Sequence, residues 1–157
     1  MIETRIPPPV YALATGASIW WLDRALPAFR VIPSPWNRCG WILLGLGVSL
    51  DVYALIVFQR SRTTVNPMRP ENTVHLVIGG PNSISRNPMY LGLVLSLCGY
   101  TFLLGNPAGC VLAWLFARVI VTVQIVPEEA ALLERFGVEY QRYCRKVNRW
   151  IGRSSCS

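Results

Sequence analysis

Long apolar runs constrain the fold of this chain more than any other feature. Residues 40–58 and 107–126 each provide about the 20 residues that an α-helix needs to cross a bilayer. Spanning segments of this kind form helices, because backbone polar groups find no water in the hydrocarbon region. The composition agrees, since 52% of the 157 residues are hydrophobic and only 15% are charged. We therefore expect an all-α integral membrane protein with one membrane domain.

Two further runs complete a predicted bundle of about four transmembrane helices. Residues 88–105 form one run, and the Gly-Asn-Pro sequence at its end joins it to the last run as a helical hairpin. Residues 10–29 form the weakest run, because Asp23 and Arg24 interrupt it. Small residues at helical spacing would let the spans approach closely, namely the pairs Gly45/Ser49 and Gly92/Ser96.

Basic residues predict the orientation of the spans. The net charge is +7, and the arginines concentrate in the loop at residues 59–87 and in the tail at residues 127–157. Because these cations flank apolar runs, they favour a membrane surface over nucleic acid as the partner. The positive-inside rule places the loop, the tail and both termini in the cytoplasm, with Arg30 and Arg38 against the rule. We expect a prokaryotic inner-membrane protein that contacts membrane lipids; its oligomeric state stays open.

Metal chemistry finds little support in the sequence. His75 is the only histidine, and the five cysteines form no CxxC pair. A zinc site or a disulfide framework would need such clusters. We expect no metal.

The tail is expected to form two short helices. Pro127 should kink or end the fourth span, because proline removes a backbone donor. The segment after it favours a helix up to Gly137, a residue typical of a helix end. A second helix then follows, with Tyr140, Tyr143 and Val147 on one face.

Four polar residues lie within or at the end of the fourth span: Arg118, Gln124, Glu128 and Glu129. An ionisable residue in a span is costly and suggests function, although Arg118 could equally snorkel or face the bundle as a structural residue. On a straight helix, Glu129 lies within about 20° of the face of Arg118. Adjacent glutamates point about 100° apart, so one could bind a ligand cation while the other pairs with an arginine. The alternative is an acidic first turn favoured by the helix dipole.

Two motifs together resemble a known family. The segment HLVIGGPNSISRNPMYLG, followed after two spans by EEAALLERFGVEYQRY, resembles the isoprenylcysteine carboxyl methyltransferase family. That family shares its general pattern with the phospholipid methyltransferases. The resemblance covers about residues 60–150 and implies an integral membrane methyltransferase. Its cofactor would be S-adenosyl-L-methionine, and its acceptor a lipid-like or small hydrophobic molecule.

The resemblance also implies which residues hold the cofactor. They are His75, Leu76, Val77, Asn87, Pro88, Met89, Tyr90 and Glu128. By charge, Arg86 could engage the cofactor carboxylate, while Glu128 or Glu129 takes its ammonium group. Tyr90 and Glu128 are the candidate catalytic residues for an amine acceptor, which must lose a proton. A carboxylate or thiolate acceptor would need no such base.

The chain departs from the family pattern at two informative positions. Many members have histidine where Asn87 stands, although asparagine is familiar in the phospholipid-methylating branch. Eukaryotic prenylcysteine enzymes have arginine at a substrate contact where this chain has Gln124. We therefore predict Gln124 as a substrate-binding residue, with Arg118 supplying the cation if the acceptor is a carboxylate. Asn82 stands where many members have an aromatic residue.

Two alternatives remain at the level of sequence. One is an NADPH-dependent membrane enzyme of the sterol-reductase type, whose last hairpin looks similar. The other is a non-catalytic membrane protein that retained the fold.

Overall fold

The computed structural model describes residues 6–60 and 76–151, without the side chain of Phe58. All regular structure in these residues is helical, which confirms the all-α class. The α-helices are α1 (Pro8–Ala25), α2 (Gly40–Arg60), α3 (Pro88–Leu104), α4 (Gly109–Ile120), α5 (Val126–Phe136) and α6 (Val138–Lys146). Short 3-10 turns lie at Pro27–Phe29, Trp36–Cys39 and Gly80–Ser83. The bounds of α2 and α3 agree with the predicted spans to within two residues.

Among the described residues, two helices are long and apolar enough to cross a membrane. They are Trp36–Val57, with 22 residues, and Gly109–Phe136, with 28 residues. Only 17% and 33% of their most apolar stretches are buried inside the protein. An outward-facing apolar surface of this extent fits lipid contact better than the core of a soluble protein. Helix α3 is apolar but shorter, and the number of four spans stays a prediction.

Helix α3 is the centre of the bundle, because α1, α2 and α4 all pack against it. Its contact with α2 is a seam of glycines. A Cβ added at Gly92 would lie 2.7 Å from the carbonyl oxygen of Gly47, so the two backbones touch and neither residue can carry a side chain. The prediction for Gly92 is therefore confirmed.

The predicted packing role of Gly45 is wrong. A Cβ at Gly45 would meet nothing within 4 Å, and both Gly45 and Ser49 are exposed. The reason is geometric: Gly45 and Gly47 are two residues apart, and such residues point about 200° apart on a helix. Only Gly47 therefore faces α3.

The hairpin between α3 and α4 has the predicted form. Helix α3 ends at Gly105, which has a left-handed conformation with φ of 76°. The side-chain oxygen of Asn106 then accepts a hydrogen bond of 3.2 Å from the backbone N–H of Ala108. The hairpin turn is therefore stabilised by a hydrogen bond between two of its own residues.

Asp23 has a role that the sequence did not predict. Asp23 lies near the end of α1, and its carboxylate accepts two hydrogen bonds from Arg30, one of them 2.7 Å long. Asn106 donates a further bond of 3.4 Å to it. Asp23 is only 2% exposed and joins the end of α1 to the hairpin. Burial of a charge is tolerated here because the charge is paired.

The helix of the predicted fourth span continues past Pro127. Residues Gly109–Phe136 form one continuous helix, in which a π turn at Val121–Ile125 joins α4 to α5. The N–H of Val126 donates to the carbonyl of Val121, five residues back. The wide turn lets the chain pass Pro127, which stands in the first turn of α5, where a missing N–H is tolerated.

The tail contains the two predicted helical segments, α5 and α6, although α5 continues the helix of α4. Gly137 separates α5 from α6, and Tyr140, Tyr143 and Val147 form one buried face of α6. Leu132 and Phe136 of α5 pack against this face, together with Leu76 from the end of the loop. We call these residues the tail cluster. It holds α6 against the segment that leads into α3.

Candidate functional site

The turn before α3 is bound to the end of the tail. The N–H of Arg86 donates to the carbonyl of Asn148 at 3.0 Å. The carbonyl of Arg149 accepts a hydrogen bond of 3.2 Å from the Ser85 hydroxyl and one of 3.1 Å from the Asn87 amide. The two segments are more than 60 residues apart in sequence. The first of the two motifs therefore lies against the end of the tail.

Tyr90 and Glu128 connect α3 to α5 at this surface. The Tyr90 hydroxyl donates to Glu128 Oε1 at 2.6 Å, a length typical of a hydrogen bond to a charged acceptor. Tyr90 is 6% exposed, and Glu128 is partly buried. Pro88 starts α3 with a fixed backbone angle, which places Tyr90 in the first turn of the helix.

Glu129 makes a different set of contacts from its neighbour. Arg149 donates two hydrogen bonds to its carboxylate, 3.2 Å and 2.6 Å long, and Arg86 lies 3.3 Å from the same group. The hydrogen bonds that Arg149 donates to Glu129 raise the pKa of Arg149. The adjacent glutamates thus diverge as their 100° separation requires. Glu129 therefore pairs with both Arg86 and Arg149.

The tail cluster lies next to these charged residues. The Tyr143 hydroxyl donates to the carbonyl of Asn82 at 2.6 Å, and the Asn82 amide donates to the carbonyl of Val77 at 2.8 Å. Arg86 also donates to the sulfur of Cys144. Desolvation raises the pKa values of Tyr140 and Tyr143, so both phenols stay neutral at physiological pH. These two phenols therefore add no charge to the site.

Two buried polar atoms at this surface have no hydrogen-bond partner in the described part of the chain. They are Asn82 Oδ1, an acceptor, and Arg86 Nε, a donor. Asn82 is 3% exposed. An unsatisfied buried group costs about 1–3 kcal/mol, so such pairs of atoms are expected where a ligand binds. Leu76, Val77, Asn87 and Met89 are all partly buried nearby in the chain.

Arg118 and Gln124 do not join this group of residues. Arg118 is exposed on the outer face of α4. Gln124 is completely buried, and its amide donates to the carbonyl of Ile6 at 2.9 Å. The expectation that Arg118 and Glu129 share a face is wrong, because it assumed a straight α-helix. The π turn between them adds about one residue to the turn and rotates α5 by roughly 100°.

The sequence analysis missed Arg149 and Cys144, which contact Glu129 and Arg86. Nothing in the spacing of Arg149 distinguishes it from the other cations of the tail. For His75, the predicted cofactor contact lies outside the described residues. Pro88 is buried at the start of α3.

A family model described as phospholipid methyltransferase matches residues 36–139. This range includes α2 to α5 with the loop between α2 and α3, and it ends just before the tail cluster tyrosines.

Two groups of relatives are similar to this chain. Protein-S-isoprenylcysteine O-methyltransferase B of Arabidopsis thaliana is 30% identical over 143 residues, which cover 87% of this chain and 71% of the relative. A probable protein-S-isoprenylcysteine O-methyltransferase of Oryza sativa is 28% identical over 109 residues, 69% of this chain and 57% of the relative. An uncharacterized protein of Haemophilus influenzae is 48% identical over 67 residues, 40% of this chain and all of the relative. No solved structure matches the chain.

Proposed function

Because this chain belongs to the phospholipid methyltransferase family, we propose that it is an integral membrane methyltransferase that uses S-adenosyl-L-methionine. The proposed acceptor is a lipid-like or small hydrophobic molecule. The reaction would take place at the cytoplasmic face of a prokaryotic inner membrane, where the arginine-rich loop and tail are expected. The NADPH-dependent alternative loses support, because the named relatives are methyltransferases.

One observation carries the proposal. The hydrogen bond between Tyr90 and Glu128 joins the two family motifs, and the neighbouring Glu129 holds Arg86 and Arg149. A carboxylate that is held in place by a phenol and is only partly buried suits a cationic ligand. S-adenosyl-L-methionine has such a cation, namely the ammonium group of its amino-acid part.

The unpaired atoms of the site fit the rest of this cofactor. Asn82 Oδ1 can accept a hydrogen bond, and Arg86 Nε can donate one to a carboxylate. Leu76, Val77, Asn87, Pro88 and Met89 are proposed to line the cofactor together with His75. The cofactor supplies a methyl group on a positively charged sulfur, which the acceptor attacks in line. The protein then contributes mainly orientation and exclusion of water.

The acceptor class follows from the cations that the site offers. Arg86 and Arg149 are both paired with Glu129, and Arg118 lies on the exposed face of α4. Gln124 is neutral. Among the described residues, therefore, none of these three arginines is indicated as the partner of a carboxylate on the acceptor. We therefore favour an amine or thiol acceptor over a prenylcysteine carboxylate, with Tyr90 and Glu128 as candidates to receive the proton of an amine.

Binding in detergent tests the proposal. S-adenosylhomocysteine, the product of the reaction, keeps the ammonium and carboxylate groups and should stabilise the protein against thermal unfolding, whereas NADPH should not. Glu128→Gln keeps an oxygen that can accept from Tyr90 but removes the charge. It should weaken S-adenosylhomocysteine binding by about tenfold or more.

Glu134→Gln is the matched control, because Glu134 is an exposed acid on the same helix. Equal affinities for the two variants would remove Glu128 from the cofactor site. Stabilisation by NADPH instead of S-adenosylhomocysteine would overturn the proposed activity, and stabilisation by neither would favour a non-catalytic protein.

A further inference from the structure

Residues 148–150 follow α6 and run beside the turn before α3 without forming a helix. We call these three residues the strap. They lie beyond residue 139, where the match to the family model ends. The family match therefore assigns them no part in the proposed reaction.

The strap is bound to the turn through its backbone carbonyls. The carbonyl of Asn148 accepts a hydrogen bond of 3.0 Å from the backbone N–H of Arg86. The carbonyl of Arg149 accepts from the side chains of Ser85 and Asn87. Two carbonyls of the strap thus fix three consecutive residues of the turn, and two of these, Arg86 and Asn87, are proposed to bind the cofactor.

Trp150 holds the strap through an apolar contact. Its side chain is partly buried and packs against the buried core of the bundle, whose members include Tyr90 and Ile125. Tyr90 is the residue that donates to Glu128. Because an indole buries a large apolar area, this single contact can fix the position of the whole strap.

The irregular backbone of the strap allows it to move without unfolding a helix. Its release breaks hydrogen bonds to the turn but no helical ladder, and such segments open more easily than the packed helices around them. While the strap is closed, the backbone of Arg86 is fixed and its buried Nε has no hydrogen-bond partner among the described residues. A buried donor that is held in place without a partner is prepared for an oxygen of a ligand.

We propose that Trp150 is a positioning residue for the cofactor: it keeps the strap closed and thereby holds Arg86 and Asn87 in the geometry that binds S-adenosyl-L-methionine. Trp150 acts through the strap and needs no contact with the cofactor. The inference rests on the proposed function, because it concerns the same site. Coupling between two sites is reciprocal, so a bound ligand must in turn favour the closed strap.

Binding of S-adenosylhomocysteine to the full chain in detergent, measured by calorimetry, tests the positioning role. Trp150→Ala should weaken binding by about tenfold, within the roughly 5–150-fold range that is usual for coupled sites. Trp150→Phe keeps an aromatic side chain and should retain most of the affinity. Ile151→Ala changes the next residue, which is 62% exposed, and should leave the affinity unchanged.

A variant that loses stability elsewhere separates positioning from general destabilisation. Gly99→Ala is suitable, because a Cβ there would lie 2.7 Å from the carbonyl oxygen of Gly40, about 13 Å along α3 from Tyr90. This variant should unfold at a lower temperature and still bind S-adenosylhomocysteine as the wild type does. If Trp150→Ala loses no more affinity than Gly99→Ala, Trp150 acts on stability alone.

Cleavage of the wild type by trypsin measures closure of the strap directly. The bond after Arg149 can be cleaved only when the strap is released, because the carbonyl of that bond accepts hydrogen bonds from Ser85 and Asn87. Saturating S-adenosylhomocysteine should slow this cleavage by about tenfold or more. Cleavage after Arg38, an exposed residue just before α2, should keep its rate. An unchanged rate after Arg149 in a protein that binds S-adenosylhomocysteine would overturn the inference.

The outcomes distinguish this inference from the proposed function. If the wild type does not bind S-adenosylhomocysteine, the proposed function fails and the inference fails with it. If the wild type and Trp150→Ala bind it equally, the proposed function stands and Trp150 has no positioning role. If Trp150→Ala does not fold, the cleavage of the wild type decides alone.

Discussion

The ion pairs of Glu129 are expected to hold the tail on the membrane domain. The carboxylate is 16% exposed, and its partners Arg86 and Arg149 are 14% and 36% exposed. Exposed pairs contribute about 0–1 kcal/mol, whereas removing one partner of a buried pair costs about 3–5 kcal/mol. Because these groups lie between the two cases, Glu129→Gln should lower the free energy of unfolding by about 2 kcal/mol.

Thermal unfolding in detergent measures this loss. For a chain of about 150 residues, 1 kcal/mol corresponds to roughly 2–4 °C, so Glu129→Gln should unfold roughly 4–8 °C earlier. Glu134→Gln, in which an exposed acid of the same helix is changed, should stay within about 1 °C of the wild type.

A double-mutant cycle between Glu129→Gln and Arg149→Gln separates the pair from other effects. The two changes should be non-additive by more than about 0.5 kcal/mol, because the residues are in direct contact. Strict additivity, or a Glu129→Gln variant as stable as Glu134→Gln, would show that these ion pairs do not fasten the tail.

Two further outcomes are expected from the structure and one from the distribution of basic residues. Gly92→Ala should destabilise the protein by about 1–3 kcal/mol, because the new methyl group would lie 2.7 Å from the carbonyl oxygen of Gly47. Gly45→Ala should be tolerated, and equal unfolding temperatures of the two variants would contradict the glycine seam. Tyr90→Phe should lower the unfolding temperature by an amount corresponding to about 1 kcal/mol, since it removes the hydrogen bond to Glu128; an unchanged temperature would count against that bond. A reporter enzyme fused after the last residue should be active only in the cytoplasm, and activity on the opposite side would refute the predicted orientation.

Elements that depend on local sequence were predictable. Helices α2 and α3 begin where apolar runs begin. Helix α3 ends at a glycine, which an asparagine follows. The two helices of the tail follow from the helix-forming segment that ends at Gly137. In each case the signal and the structure lie within a few neighbouring residues. No long-range information is needed.

Features that depend on contacts between distant segments were not predictable in the same way. Asp23 looked like an interruption because its partners, Arg30 and Asn106, come together only in the folded bundle. Arg149 could not be distinguished from other tail cations without the position of Glu129. Asp51 is an ionisable residue inside an apolar run, but its contact with the position of Gly92 exists only across the seam between α2 and α3.

The π turn links these local and long-range features. An α-helix carried straight from Arg118 would have brought that arginine to the face of Glu129, and the cation for a carboxylate acceptor would then have been plausible. With the π turn at Val121–Ile125, Arg118 is exposed and the Glu pair turns toward Tyr90, Arg86 and Arg149 instead. The two glutamates then differ by environment although they are neighbours in sequence. Substitution of Glu129 should therefore mainly lower the stability of the protein. Substitution of Glu128 should mainly lower its affinity for the cofactor. Substitutions that produced the same loss at both positions would mean that the pair acts as one structural unit.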